Sequence, residues 1–499
     1  MEIPIPSLPI LVSFLLSAFI LAKLTRKSSR RNLPPGPRKL PLIGNLHNLI
    51  GSVPHRALHQ LSQKHGPLMH LQLGEVPTVI VSSADAAKEV MKTHDVKFAS
   101  RHPILAAEIM SYGYTSITFS PYGDYWSQLR KICTAELLST KRVQSFSSLR
   151  ERVYSDLMKW IASMEGSPLN LSEKLYWSTY SFTTTAALGK VTEGREPLLP
   201  IFLEGVELAA GFDIAELYPS VKLFRILSGV RRRLLLIREK ADEILESIVQ
   251  EHRDRAAVFN DREEEEEEDL LDVLLKFQDA GQQIPLTNDN IKAVLMDMLG
   301  GGSETSATMM NWAMAEMMKN PAILKKAQDE VRLVFDGKGY VEESRIDELK
   351  YLKSVVKETL RMHPPGTLLL RKCSENCEIN EYEIAAETQI IVNIWAINRD
   401  PKYWENGDCF EPERFLDSSV DFRGNHMEYI PFGAGRRICP GMNFGLANLQ
   451  LPLAMLLYHF DWKLAAPEID MTEAFGITTK IKNDLFLVPL LKRPFSLPK

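Results

Sequence analysis

Cysteine is scarce in this chain: Cys133, Cys373, Cys377, Cys409 and Cys439 are the only five in 499 residues. An odd, scattered set in a chain long enough to bury a large core excludes a disulfide-stapled framework, and the five read as reduced thiols. Cys373 and Cys377 have the spacing of half a metal site, but no second pair with zinc spacing follows, so a structural or incidental role is the simpler reading. His55 and His59 stand one helical turn apart without a third ligand, which leaves a polar helix face. Excess charge of one sign is lacking too. The net charge is −5 and the pI about 6.2, so there is no basic footprint, and with no nucleic-acid motif either, no DNA or RNA partner is expected. Internal repeats are absent. So is any glycine fingerprint for a flavin or nicotinamide, so electrons for a redox reaction would have to come from another protein.

What is present is ordinary globular material, 45% hydrophobic and 25% charged. From Ile3 to Ala22 there is no charge, close to the ~20 residues a helix needs to span a bilayer. Glu2 precedes this run, while Lys23, Arg26, Lys27, Arg30 and Arg31 follow it. A cleavable signal would start basic, so residues 1–24 read as a retained transmembrane helix with the rest in the cytoplasm. On that reading Asn170, in Asn170-Leu171-Ser172, is a sugar acceptor on paper only. Residues 25–37 form a basic flank and a stiff hinge, Pro34-Pro35-Gly36-Pro37. Residues 38–499 make up one domain.

Strand-like stretches fall at 68–73 and 78–81, and helical patterning then runs to about residue 365, which predicts a mainly α fold with small β-sheets. The acidic run from Glu263 to Asp269 repels itself and reads as a solvated loop. The clearest helix starts at Thr287, an N-cap with Asn290 at N3, and ends at Asn320, where Pro321 forbids continuation. At 1.5 Å per residue it spans roughly 45 to 50 Å. Its first half is apolar all round (Ile291, Val294, Leu295, Met296, Met298, Leu299), as in a helix that crosses an interior. Gly300-Gly301-Gly302 interrupts it, followed by Ser303-Glu304-Thr305-Ser306. Each glycine costs about 1 kcal/mol relative to alanine in a helix, so something must come close to that backbone.

Near the C-terminus Phe432-Gly433-Ala434-Gly435-Arg436-Arg437-Ile438-Cys439-Pro440-Gly441 precedes an apolar helical stretch from Met442 to Tyr458. A cysteine on a glycine-rich loop at a helix N-terminus meets backbone amides and the positive dipole end, which favour thiolate. Such a sulfur is a metal ligand or a nucleophile, and a buried inert cysteine would not explain three glycines in ten residues. The segment resembles, residue for residue, the haem-binding signature of the cytochrome P450 superfamily. By that resemblance Cys439 is the axial ligand of the iron of haem b (iron protoporphyrin IX), Arg437 pairs with a propionate, and Phe432 packs beside the sulfur. Gly301 to Ser306 matches the family's oxygen-activation pattern, where Thr305 and Glu304 relay protons to bound dioxygen. Glu358-Thr359-Leu360-Arg361 and Glu411-Pro412-Glu413-Arg414-Phe415 match its Glu-x-x-Arg pair and the later arginine, so Glu358, Arg361 and Arg414 form a structural network.

Trp126 and Arg130 match a Trp-x-x-x-Arg whose indole and guanidinium both reach a propionate, and Arg371 is a further propionate partner. Here Leu370 is followed at once by Arg371, where relatives usually interpose a proline, while Glu381 and Ala385 replace a usual glycine and proline. Substrate contacts follow by position at Ile104, Ile117, Leu299, Gly301, Thr367, Leu368 and Ile477. Closer features, such as Ser120-Pro121-Tyr122-Gly123, Ala209-Ala210-Gly211-Phe212-Asp213 and Tyr458-His459-Phe460-Asp461-Trp462-Lys463, resemble the plant microsomal group that oxidises terpenoids and alkaloids. The resemblance implies a monooxygenase anchored in the endoplasmic reticulum membrane, with its catalytic domain over 38–499 in the cytoplasm. It would hydroxylate or epoxidise a hydrophobic small molecule with O2 and NADPH-derived electrons from cytochrome P450 reductase, cytochrome b5 being a second candidate donor. The alternatives are a reductase-independent isomerase or dehydratase of the same fold and a non-catalytic haem-binding protein.

Overall fold

The computed structural model describes residues 32–189, 198–208, 213–259, 268–281 and 283–495. The anchor expected over 1–24, the flank to residue 31, most of the acidic block and residues 209–212 lie outside that set. Among the described residues no helix is long and apolar enough to cross a membrane.

The elements that build the site are mostly helical: α1 (Leu105–Met110), α2 (Asp124–Ile132), α3 (Leu171–Leu188), α4 (Asn288–Lys319), α5 (Lys350–Met362) and α6 (Met442–His459). Helix α4 is the long one. Thr287 Oγ1 accepts the Asn290 N–H at 3.2 Å while Asn290 Oδ1 accepts the Thr287 N–H at 2.9 Å, closing a reciprocal cap. Its far end stops at Asn320, and Pro321 opens the next helix. Almost every side chain of α4 is buried, since α3 runs along one flank and α5 and α6 pack on others. Gly302 is what lets them close. A Cβ there would lie 2.9 Å from Thr183 Cγ2 on α3 and 3.0 Å from Phe444 Cε1 on α6, nearer than real Cβ contacts approach. Gly301 is different. It meets nothing within 4 Å, because it opens onto the cavity described below.

The main sheet has the order β1 (Leu68–Leu73), β2 (Val76–Val81), β6 (Gln389–Asn393), β3 (Leu368–Lys372). Strand β2 runs parallel to β6, with Ile80 opposite Ile391, and β3 runs antiparallel to β6, with Arg371 opposite Ile390. A hairpin, β4 (Cys377–Ile379) and β5 (Tyr382–Ile384), lies between β3 and β6 in sequence. Its two turn residues, Asn380 and Glu381, both have positive φ, 48° and 68°. That is the turn a tight hairpin prefers and for which glycine is the natural second residue, so the fold keeps the turn although glutamate has replaced glycine.

Candidate active site

The loop before α6, the middle of α4 and the segment from Arg101 to Phe119 enclose one cavity of ≈ 410 Å³. The loop is shaped by glycines that nothing else could replace. Gly435, at φ +69°, would place a Cβ 2.1 Å from the Met91 carbonyl oxygen. The Cys439 N–H donates back to Phe432 O at 2.9 Å, and both residues line the cavity. Phe432 stands edge-on to Phe422, ring centres 5.4 Å apart. Desolvation pushes the Cys439 thiol up from its ordinary value, while the Gly441 N–H and Arg130 pull the other way. The helix terminus therefore does not hold the thiolate unaided, and a metal cation at the sulfur would.

Facing the loop, Thr305 lines the cavity and donates its hydroxyl to the Gly301 carbonyl at 2.6 Å. Ser303 and Ser306 do the same to Leu299 and Gly302, which loosens the helix at this turn. Glu304 does not face the cavity. Successive helical residues point about 100° apart, so when Thr305 looks in, Glu304 looks aside. It is buried, and its carboxylate accepts the hydroxyl of Thr478. Burial raises its pKa, with Thr478 and Lys480 opposing. Thr478 does line the cavity, so the acid reaches the cavity only through that hydroxyl.

Arg101, Arg130 and Arg437 line the cavity, and a fourth guanidinium, Arg371, is buried within reach of all three. Arg371 is 2% exposed and its Nη1 is a buried donor without a partner. Burial, then Arg101 and Arg437, drive its pKa well below the ordinary arginine value. Arg101 is lowered to about 10 and Arg437 to about 9, burial first and neighbouring arginines after it, and burial lowers Arg130 as well. The carboxylates acting on this group are Asp95 and Asp297. Two acids against four cations, with one buried N–H unsatisfied, describe a wall built to receive further carboxylates. The two propionates of haem fit that requirement, and Cys439 fits its iron.

Several expected contacts are corrected. Trp126 does not present its indole to the cavity: the buried N–H donates to Ile117 O at 3.0 Å, the nearest carbonyl of the loop folded over it. The Arg437 guanidinium lies over that ring at 4.1 Å and donates to the carbonyls of Ala99, Ile117 and Ser120. Trp126 thus seats Arg437. Leu299 is 1% exposed and packs in an apolar cluster with Ile117, because it lies about 200° around the helix from Gly301. Thr367 bonds Thr479 at 3.0 Å and does not line the cavity, whereas Leu368, the first residue of β3, does. Ile104, Ile117, Gly301, Leu368 and Ile477 all line the cavity.

Glu358 and Arg361 are both fully buried and form a two-pronged pair at 2.7 Å, with Arg414 Nε 3.1 Å from the same carboxylate. Arg361 also donates to the carbonyls of Asn398, Gly407 and Cys409, and Glu358 accepts the Glu411 N–H. The cluster thus clips α5 to the coil leading toward the cysteine loop.

Three residues escaped the sequence reading: Arg101, Thr478 and Asp297. The Asp297 carboxylate accepts the Thr118 N–H at 2.8 Å, and Arg101 donates to the Thr118 carbonyl at 3.1 Å. Loop 116–119, whose Ile117 carbonyl receives both Trp126 and Arg437, is therefore gripped from both sides. Desolvation lifts Asp297 to about 6.

One group satisfies the sulfur, the cations and the gap between them together: a metalloporphyrin bound through cysteine, which places the protein among the haem-thiolate oxygenases. Comparison with known proteins agrees. The family model Cytochrome P450 matches residues 34–488. The chain is 60% identical to salviol synthase of Salvia pomifera, covering 99% of both chains, and 50% identical to premnaspirodiene oxygenase of Hyoscyamus muticus, covering 96% of this chain and 97% of that one. A zebra fish cytochrome P450 solved with abiraterone shares the fold, with a TM-score of 0.74 at 22% identity over 89% of this chain and 99% of that one. The chain belongs to the cytochrome P450 family. It is a haem-dependent monooxygenase that inserts one atom of O2 into a hydrophobic small molecule, with electrons passed from NADPH by a reductase.

Proposed function

We propose that the substrate is a terpenoid or alkaloid of plant specialised metabolism, oxidised in the cavity between Cys439 and α4. The observation that carries this is the cavity wall itself, where Ile104, Ile117, Met309, Leu369 and Ile477 leave few polar groups to recognise anything but an apolar scaffold. Relatives named for salviol and premnaspirodiene support the same class.

Each residue then has a role derived from its place. Cys439 would hold the haem iron through sulfur, and Arg101, Arg130 and Arg437, with Arg371 beside them, would take the propionates. Haem when bound supplies dioxygen activation, favoured by electron density from the thiolate. Thr305 holds a proton at Oγ1 beside Gly301, and Glu304 exchanges with the cavity through Thr478. A hydroxyl poised on the cavity wall supports the oxygenase over an isomerase that needs no protons delivered.

The same proposal covers location. Residues 1–24 anchor the protein in the endoplasmic reticulum membrane, residues 25–37 form the hinge, and residues 38–499 lie on the cytoplasmic side as the catalytic domain. Cytochrome b5 is a second electron donor. Support comes from exposed apolar residues close to the hinge, Leu40, Leu42, Ile43 and Ile50, and from Ile214, Leu223 and Ile226 on the segment whose Tyr218 hydroxyl donates to the Leu42 carbonyl at 3.4 Å.

The test has two parts. Co-expression with a plant reductase and a screen of terpenoid and alkaloid scaffolds should yield NADPH-dependent oxygenated products, and turnover without NADPH would overturn the oxygenase reading. Reduced protein under carbon monoxide should show a red-displaced Soret band that Cys439→Ser abolishes.

A further inference from the structure

Cys373 and Cys377 have no part in the chemistry just described. Cys373 directly follows β3, the strand that carries Arg371, and Cys377 opens β4. Their sulfurs lie 3.7 Å apart, the one thiol–thiol contact among the described residues. The turn between them is held from several sides. Cys373 Sγ approaches Glu375 O at 2.9 Å, its N–H donates to Thr388 O, and Asn376 Oδ1 accepts the Ala386 N–H at 2.8 Å. Cys373 is 0% exposed in an apolar cluster with Ile379, Ile384 and Ile390, whereas Cys377 is half-buried. Lys97 stands over the turn, paired with Glu375 at 3.0 Å.

We propose that Cys373 and Cys377 are a peroxide-oxidisable dithiol, a modification site at the end of the strand bearing Arg371 that closes to an intramolecular disulfide. Hydrogen peroxide is the oxidant. The Cys377 thiolate attacks one peroxide oxygen, the O–O bond breaks and hydroxide leaves, giving a sulfenic acid at Cys377 and, with a proton, one water. Cys373 then attacks the Cys377 sulfur, its proton goes to the departing hydroxyl, and a second water leaves as the S–S bond forms. Each sulfur loses one electron and the two peroxide oxygens gain both.

The division of labour between the sulfurs follows from their surroundings. The sulfur–sulfur contact, and then Lys97, lower the Cys377 pKa against the effect of burial, while Cys373 is raised by the same contact and by burial. The more accessible sulfur is thus the better thiolate, and the enclosed one, already in contact, resolves it. None of the other cysteines has such a neighbour. Cys133 is buried and pushed up to about 12, Cys409 is exposed and alone, and Cys439 faces the cavity.

Full-length haem-loaded protein is treated with graded hydrogen peroxide, the remaining thiols are capped with a maleimide, and the protein is digested with trypsin. Both sulfurs fall in one fragment, Cys373 to Arg399, free of other cysteines. The expected result is joint loss of both caps, a fragment lighter by two hydrogen atoms, and recovery of both thiols with dithiothreitol. It should occur at peroxide concentrations at least ~10-fold below those that consume Cys409, whose isolated thiol lacks these activating contacts. Cys377→Ser should leave Cys373 capped at the same dose. Cys373→Ser should accumulate a dimedone-reactive sulfenic acid at Cys377. Should the buried serine prevent folding, the Cys377 variant and the wild-type fragment still decide the matter. The proposal is overturned if both sulfurs remain capped after Cys409 has been oxidised, or if only one is lost. These readouts do not depend on the substrate.

Discussion

Glu381 occupies a backbone conformation made for glycine. At φ +68° a side chain with a Cβ costs on the order of 1 kcal/mol. The sole hydrogen bond found at this residue is from Asn32 to its carbonyl, which any residue retains. Glu381→Gly is therefore expected to raise stability by about 1 kcal/mol, measured as a shift in the urea midpoint at unchanged slope. A second residue gives a pH signature. Desolvation holds Asp297 at about 6, above its ordinary 3.8. A group raised in the folded state favours folding most below its unfolded value, and that contribution disappears as pH climbs through the folded one, a change on the order of 3 kcal/mol. Asp297→Asn keeps an oxygen for the Thr118 N–H, so the difference in stability between variant and wild type should grow in the variant's favour from about pH 4 to pH 6 and level off above. A flat difference would contradict the assignment. Glu381 was visible in the sequence as a departure from a family pattern. Asp297 was not, because its partner lies 179 residues away and no local pattern marks an aspartate on an apolar helix as the anchor of a distant loop.

Elements were more legible than contacts. The cap at Thr287 and the stop at Pro321 announce α4, since both are local rules of backbone satisfaction, and the cysteine loop announces itself by its glycines. What the helix presents to each side depends on rotation against its neighbours, which explains why Leu299 packs away from the cavity and Glu304 meets it only through Thr478, while Thr305 and Gly301 line it. The clip between α5 and the following coil makes its own prediction. Arg361→Met leaves the fully buried Glu358 with Arg414 and the Glu411 N–H as its remaining partners and three carbonyls without their donor, a loss of roughly 3–5 kcal/mol. Such a variant should accumulate as haem-poor protein without the red-displaced Soret band, even at low expression temperature. Haem retention equal to wild type would show that the coil holds its course without the clip.

At the scale of the molecule, exposed apolar residues occur near the hinge and again from Ile214 to Ile226, two segments that meet where the Tyr218 hydroxyl donates to the Leu42 carbonyl. Ile50 is 82% and Ile226 75% exposed, which isolated solvated side chains tolerate but a cluster of this kind does not favour. A chain lacking residues 1–31 should therefore still partition onto neutral phospholipid vesicles in high salt. Ile50→Asp combined with Ile226→Asp should release it, by at least ~10-fold in the bound-to-free ratio. Binding that salt abolishes would instead point to charge.

Gly302 carries a last consequence. The spacing between the oxygen-side helix and the helix that follows the sulfur ligand is set by a hydrogen atom, with Thr183 and Phe444 closing on it. A side chain at that seam obliges Thr183 and Phe444 to give way. Ile477 on the cavity rim, 42% exposed, carries no such constraint. Diversification is thereby steered toward new products at constant chemistry, and a mutagenesis library confined to the rim should keep its pigment in nearly every member.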